Sequence, residues 1–243
     1  MVSTAINPRR LEQAVALRVL LAADPCALAA KEAPDNAARD RLGLDDCIQA
    51  LALTRAVQVR ATAVAALEAG ADVLLLDTPR LQDSDLADAG FALAYAAAEL
   101  ACQAIDAVAG AGRRRFLLGR VDAAETPQVA GLIAGGVDAL IAEEPAALAS
   151  VVAAAEAETG QRVPLLDGRR LALATLEASA LPKALAQGAR LVTGSDLAGL
   201  DAALRAAAAD GWRPMAAGVA PEEVQTPSSL HQAAGLGCVQ SAA

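Results

Sequence analysis

The chain has 243 residues, which suits one large α/β domain, and its net charge of −9 excludes the clustered basic surface of nucleic-acid-binding proteins. Hydrophobic residues make up 55% of the sequence and aromatic residues only 2%, so the core has to be built from Leu, Val and Ile. The cysteines are scattered, and we find neither a basic-apolar leader nor an 18-residue apolar run. These features predict a cytoplasmic protein without a membrane partner.

Short apolar runs alternate with helical stretches along the chain, which predicts parallel strands joined by helices. The clearest unit is a helix over 56–69, which Gly70 ends and the strand Val73–Leu76 follows. The stretch Leu171–Gln187 is predicted to be helical and to break at Pro182. The predicted strands are Val19–Ala22, Val73–Leu76, Phe116–Gly119, Asp138–Ala142, Arg162–Leu166, Ala189–Thr193, Arg213–Ala217 and Leu236–Val239.

Eight strand–helix steps in a chain of this length predict a single-domain (β/α)8 barrel, or TIM barrel, over residues 1–243. Residues 1–16 are expected to form a leading segment. An open nucleotide-binding sheet is disfavoured, because no glycine-rich phosphate loop follows the first strand.

Carboxylates follow most of the predicted strands. Parallel strands of a barrel end at one face, so these groups are expected to meet at a single mouth. An acidic mouth can bind an amine, a hard cation such as Mg²⁺ or an acid–base substrate, whereas the alternative is that individual carboxylates cap helices. The residues are Asp24, Asp77, Asp122, Glu143, Glu144, Asp167 and Asp196.

Three segments carry a resemblance to a known family. Cys47–Arg55 is similar to a family segment GCN-x-ALNLTRP, and Leu67–Asp72 matches the LEAGAD that follows it. Val129–Glu143 resembles the family's QV-x-GLIEGGVDALLIET. The family is the homocysteine S-methyltransferases, which include betaine–homocysteine methyltransferase and the homocysteine-binding domain of cobalamin-dependent methionine synthase.

The resemblance implies a TIM barrel, here with shortened βα loops, that transfers a methyl group to the thiol of homocysteine or a related thiol in methionine biosynthesis. It implies a zinc ion bound by three cysteines, and it allows a corrinoid or other methyl-transfer protein as a partner. It puts Asp24 and Glu143 at positions that bind the amine of the amino acid. Asp77 and Asp122 at the acidic mouth are further substrate-binding candidates.

The zinc cysteines of the family are largely missing. Gly194–Leu197, taken as the turn after the sixth strand, has Leu197 where the family has its first zinc cysteine. Near the carboxyl terminus only Cys238 is kept. One cysteine does not make a three-thiolate site, so these cysteines do not support zinc. An alternative metal site of Cys238, Asp196 and His231 has no supporting spacing.

Three functions therefore stay open, and the sequence assigns no catalytic residue. The first is a homocysteine S-methyltransferase, supported by the framework of matching segments. The second is a non-catalytic relative, or pseudoenzyme, that binds a small amino acid or a partner protein, supported by the missing cysteines. The third and weaker one is a metal-assisted lyase that uses the acidic mouth.

Overall fold

The computed structural model describes residues 14, 19–32, 40–42, 47–78, 89–109, 114–122, 125–171 and 173–209. The predicted strands Arg213–Ala217 and Leu236–Val239 lie outside these ranges, as do Cys238 and His231.

Strands and helices alternate through the described residues. The strands are β1 (Leu20–Ala23), β2 (Val73–Asp77), β3 (Phe116–Arg120), β4 (Ala139–Ala142), β5 (Leu165–Asp167), β6 (Leu173–Thr175) and β7 (Leu191–Thr193). The α-helices are α1 (Pro25–Glu32), α2 (Leu51–Thr54), α3 (Ala56–Glu68), α4 (Gly90–Ala107), α5 (Thr126–Ala134), α6 (Pro145–Thr159), α7 (Gly168–Leu171), α8 (Leu181–Ala186) and α9 (Leu197–Ala209). Two 3₁₀ turns, Ile48–Ala50 and Ala178–Ala180, precede α2 and α8.

The strands form one parallel sheet in the order β5-β4-β3-β2-β1-β7-β6. Alternate residues of β1 to β5 and of β7 pack into two separate cores. One set packs against the helices, with Leu21, Leu74 and Leu117 among its members. The other set packs strand against strand on the opposite face, which is the arrangement of a curled sheet. Its strand residues are Leu20, Ala22, Val73, Leu75, Phe116, Leu118, Ala139, Ile141, Leu166 and Leu191, and Leu171 of α7 packs with them.

The curled sheet has β5 and β6 at its two edges. No pairing joins these two strands within the described ranges. The structure thus confirms an α/β fold with a parallel, curled sheet, and closure into an eight-stranded barrel stays a prediction.

The prediction of a helix over Leu171–Gln187 is wrong. The chain forms β6 there, paired with β7 at Leu173 and Leu191, before α8 begins at Leu181. Short Leu- and Ala-containing runs fit both helical and extended periods, and sheet pairing decides between them. Pro182 lies in the first turn of α8, where its missing N–H is not needed, so it starts a helix instead of breaking one.

Two aspartates fix the register of strands at the end of the sheet opposite the carboxyl ends. The Asp72 amide donates to the carbonyl of Leu21 (2.7 Å), and the Leu21 amide donates to Asp72 Oδ2 (3.2 Å). Asp138 exchanges the same two bonds with Leu117, at 2.7 Å each. Each aspartate directly precedes a strand, so the strand is tied to its neighbour before the ladder begins.

Among the described helices, none is long and apolar enough by itself to cross a membrane. The helical segments Ile48–Thr54 and Ala56–Glu68 reach that length and apolar composition only when taken together, and the chain bends by 113° between them.

Candidate functional site

A cavity of about 570 Å³ lies at the carboxyl ends of β1, β2, β3, β6 and β7. This is the end of a parallel sheet at which α/β proteins bind their ligands. The charged residues that line it are Asp24, Lys31, Asp77, Arg120 and Glu177. The other lining residues are Ala27, Leu28, Leu75, Thr175, Leu176, Ala180, Thr193, Gly194 and Ser195.

The period of the strands explains why charged side chains line the cavity. Leu75 and Leu118 belong to the core between the strands, and side chains two residues apart point to the same face. Asp77 and Arg120 are each two residues further along, so they continue the same face above the apolar core. The inner surface of the sheet thus changes from apolar to charged at the cavity.

Asp77 and Arg120 form an ion pair across β2 and β3. They are direct partners in the strand register, and Arg120 Nη2 donates to Asp77 Oδ2. The pair is partly accessible, with 31% of the Asp77 side chain and 39% of the Arg120 side chain exposed. Asp77 Oδ1 is buried and accepts no hydrogen bond from any group in the described residues. The pair therefore offers a ligand one carboxylate with spare acceptor capacity and one guanidinium with spare donors.

Asp24 lies between the last residue of β1 and the first residue of α1. Its Oδ1 accepts hydrogen bonds from the amides of Cys26 (2.8 Å) and Ala27 (3.0 Å), which makes it the N-cap of that helix. The pKa of the Asp24 carboxyl is raised from 3.8 to about 7, chiefly by burial and to a smaller extent by the charge of Asp77. The two amides and Arg120 oppose this shift. Asp24 is thus close to its titration point at neutral pH.

Hydrogen bonds brace the ends of β2 and β3 from behind. Gln49 Nε2 donates to the main-chain carbonyl of Asp77 (2.8 Å). The amide of Thr78 and its Oγ1 both donate to the carbonyl of Arg120, at 3.1 and 2.9 Å. The backbone of both members of the ion pair is therefore held in place.

The opposite wall of the cavity is polar and more exposed. Ser195 Oγ, after β7, donates to Glu177 Oε1, after β6, at 3.4 Å. Thr175 and Thr193 lie beside them on the two strands. Lys31 on α1 completes the rim.

The four predicted substrate-binding residues separate into two groups. Asp24 and Asp77 line the cavity, whereas Asp122 and Glu143 are exposed and do not. Asp122 Oδ1 accepts a hydrogen bond from the Glu143 amide (2.6 Å), and Asp122 Oδ2 lies 3.9 Å from Arg120 Nε.

Several of the acidic residues cap helices, as the alternative interpretation expects, or form ion pairs on the surface. Asp24 caps α1, and Asp196 Oδ1 accepts the amide of Gly199 (2.8 Å) at the start of α9. Glu144 pairs with Arg169 at 2.8 Å on the surface.

Sequence reasoning missed Arg120, Glu177 and Lys31. The signal for Arg120 was available, because it stands two residues after Leu118 in a strand that was recognised. Glu177 could not be found in the same way, since β6 was taken for helix. Lys31 comes from a helix whose orientation depends on the Asp24 cap.

The described residues do not fit a three-thiolate zinc site. They contain no group of three or more His, Cys, Asp or Glu side chains that could hold a metal ion. Burial raises the pKa values of the Cys26, Cys47 and Cys102 thiols, which favours the neutral form over a metal-binding thiolate. Gly194–Leu197 follows the seventh strand, not the sixth as expected, and Leu197 is buried. Cys238 lies outside the described residues, so its assignment as a metal ligand stays a prediction.

Comparison with known proteins supports the fold more than the function. No family model matches the chain, and no curated protein matches it. The crystal structure of the homocysteine methyltransferase MmuM from Escherichia coli, apo form, is similar with a TM-score of 0.51 and 19% identity, covering 81% of this chain and 100% of that one. At this identity the likeness shows a related fold alone. A phosphonopyruvate hydrolase in complex with oxalate and Mg²⁺ has 16% identity, covers 84% of this chain and 86% of that one, and has a TM-score of 0.33, too low to support an argument.

Proposed function

We propose that the protein binds a small α-amino acid in the cavity at the carboxyl ends of the strands. The observation that carries this proposal is the Asp77–Arg120 pair, two opposite charges on adjacent strands that both line one cavity. A zwitterion presents an ammonium and a carboxylate at the same short spacing, so it can replace each partner of the pair with its own opposite charge. The volume of about 570 Å³ suits a ligand of this size.

The ammonium group is assigned to Asp77 with Asp24 beside it. The Asp77 side chain is 31% exposed although its Oδ1 is buried, so the ammonium is assigned to Oδ2, which keeps acceptor capacity beside the bond from Arg120. The carboxylate is assigned to Arg120, with Lys31 at the rim.

Homocysteine, or a related thiol amino acid, is the first ligand to test. The fold likeness to a homocysteine methyltransferase and the three matching sequence segments support this choice. Leu28, Leu75 and Leu176 give the cavity an apolar wall that can pack against a thioether or thiol side chain. Closure of the curled sheet into a TIM barrel belongs to the same proposal, because active sites of TIM barrels lie at the carboxyl ends of the strands.

Methyl transfer to the bound thiol is the second candidate. The same fold likeness favours it, whereas the lack of a three-thiolate site in the described residues favours binding without methyl transfer. Zinc content of the purified full-length chain, with and without homocysteine, separates the two. One zinc per chain with thiol-dependent binding supports methyl transfer. Absence of zinc together with amino-acid binding supports a non-catalytic relative. A metal-assisted lyase has no supporting metal cluster among the described residues.

Calorimetric titration of the full chain with L-homocysteine, L-methionine and L-serine tests the proposal. We expect at least one of them to bind, and both Asp77→Asn and Arg120→Gln to weaken binding about tenfold or more. Arg169→Gln is the matched control, because it removes the guanidinium of an exposed ion pair outside the cavity. The proposal is overturned if no amino acid binds at about 10 mM, or if Arg120→Gln behaves as Arg169→Gln does.

A further inference from the structure

Gln49 is a buried polar residue in a part of the protein that is otherwise apolar. Only 5% of it is exposed, and it lies in the 3₁₀ turn that precedes α2. Its Nε2 donates to the carbonyl of Asp77, which fixes the orientation of the amide, because only the nitrogen end can donate to a carbonyl. Its Oε1 is buried and accepts no hydrogen bond within the described ranges.

A second glutamine, Gln58, forms hydrogen bonds at both ends of its side-chain amide. Gln58 on α3 donates from Nε2 to the carbonyl of Ala29 (3.2 Å) and accepts at Oε1 from Arg55 (3.4 Å). Gln49 has only the first of these two bonds. An acceptor buried without a donor is unfavourable, and an apolar side chain at this place avoids that penalty. The amide at position 49 is therefore explained by its donor end, which contacts Asp77.

We infer that Gln49 is a positioning residue that makes the cavity selective for ligands with a primary ammonium, by holding Asp77 at the end of β2. This inference deepens the proposed function and depends on it. Asp77 is the last residue of its strand, and the peptide unit that follows it is held to β3 by the bond from the Thr78 amide to the Arg120 carbonyl. The bond from Gln49 adds a second constraint, on the Asp77 carbonyl itself.

Gln49 and Thr78 therefore act on different carbonyls, Gln49 on that of Asp77 and Thr78 on that of Arg120. Loss of the Gln49 bond removes a constraint on the Asp77 carbonyl and lets the carboxylate move from the place where it meets an ammonium. The main-chain carbonyl of Arg120 keeps its two bonds from Thr78, so the guanidinium stays at the end of β3 and continues to bind the carboxylate of the ligand. Removing the Gln49 amide should therefore reduce affinity for the amino acid much more than affinity for the same molecule without its ammonium.

Matched pairs of ligands on the full chain test this inference. The probes are L-homocysteine with 4-mercaptobutanoate, and L-methionine with 4-(methylthio)butanoate, in which the ammonium is replaced by hydrogen. We expect Gln49→Leu to weaken binding of the amino acids about tenfold and to change binding of the deaminated acids less than about twofold. Gln58→Leu removes a similar bond, to the carbonyl of Ala29 on α1, and no bond to Asp77, so it is expected to leave the difference in affinity between the two members of a pair unchanged.

The outcomes separate this inference from the function on which it depends. If the wild-type chain binds neither amino acid, the inference is overturned, and the proposed function is overturned with it if L-serine does not bind either. If the wild type binds an amino acid and Gln49→Leu weakens both members of a pair equally, Gln49 has a purely structural role and the inference is wrong. Gln49→Met, a longer apolar side chain of similar shape, repeats the test in case Gln49→Leu unfolds. Retained selectivity in that variant also overturns the inference.

Discussion

Replacement of Asp24 by asparagine should change how the stability of the protein depends on pH. The folded chain keeps a proton on Asp24 up to about pH 7, whereas the unfolded chain releases it near 3.8. Between these values the folded state binds more protons than the unfolded state, so the free energy of unfolding falls as the pH rises. Asparagine has no proton to release and still accepts the amides of Cys26 and Ala27 as an N-cap, so the variant loses this pH dependence and keeps the helix start.

The size of the effect follows from the two pKa values. A shift from 3.8 to about 7 spans about three pH units at about 1.4 kcal/mol each, which gives a ceiling of about 4 kcal/mol. Water reaches part of the Asp24 side chain and reduces the penalty of its charge, so we expect about 2 kcal/mol. Wild type should lose this much more stability than Asp24→Asn between about pH 4 and pH 8.

Urea unfolding at several pH values measures this difference directly. The midpoint and the slope are recorded for wild type, for Asp24→Asn and for Asp196→Asn. Asp196 is the matched control, since it also caps a helix, at the Gly199 amide, but is exposed. Parallel stability profiles for wild type and Asp24→Asn would refute the burial of a titrating carboxyl at the cavity.

Other parts of the fold give predictions of their own. Gly131→Ala puts a methyl group against the carbonyl of Phe91 and 3.0 Å from the side chain of Ala94, so it should lower the free energy of unfolding by about 1–3 kcal/mol. Gly160→Ala meets no neighbouring atom and has only its positive φ of 68° to accommodate, so it should lose about 1 kcal/mol, and a larger loss than for Gly131→Ala contradicts the α4–α5 packing. Asp138→Ala leaves a buried amide without its acceptor and should lose about 1–3 kcal/mol in urea unfolding; no loss means that the strand tie is unimportant. Iodoacetamide near neutral pH should modify the three described cysteines in urea and spare them in the folded chain, because burial raises their thiol pKa values; mass spectrometry that finds fast native labelling argues against their burial.

Several strands after the first could be predicted because glycine ends the helix before them and a carboxylate or turn follows them. Val73–Asp77 and Phe116–Arg120 extend the predicted runs by one residue each. The strand Leu173–Thr175 was not predicted, because its apolar run is short and lies in an Ala- and Leu-rich stretch that also fits a helix. Its identity comes from pairing with β7, a contact between distant residues that no local pattern contains.

The candidate site was predictable only in outline. The convergence of strand ends led to Asp24 and Asp77, since parallel strands share one carboxyl end. The roles of these residues depend on partners from other strands and turns: Arg120 for Asp77, and the amides of Cys26 and Ala27 for Asp24. Asp122 and Glu143 do not line the cavity; both lie beyond the last residues of their strands, Arg120 and Ala142, where the alternation of faces no longer fixes the side chain.

The most direct test of the account compares three ligands on the unmodified chain. L-homocysteine carries both charges, 4-mercaptobutanoate lacks the ammonium, and 3-mercaptopropylamine lacks the carboxylate. If Asp77 and Arg120 bind the two charges of one zwitterion, calorimetry should find L-homocysteine bound at least about tenfold more tightly than either analogue. Equal affinity for L-homocysteine and either analogue would mean that one member of the pair does not contact the ligand, and it would contradict the amino-acid site.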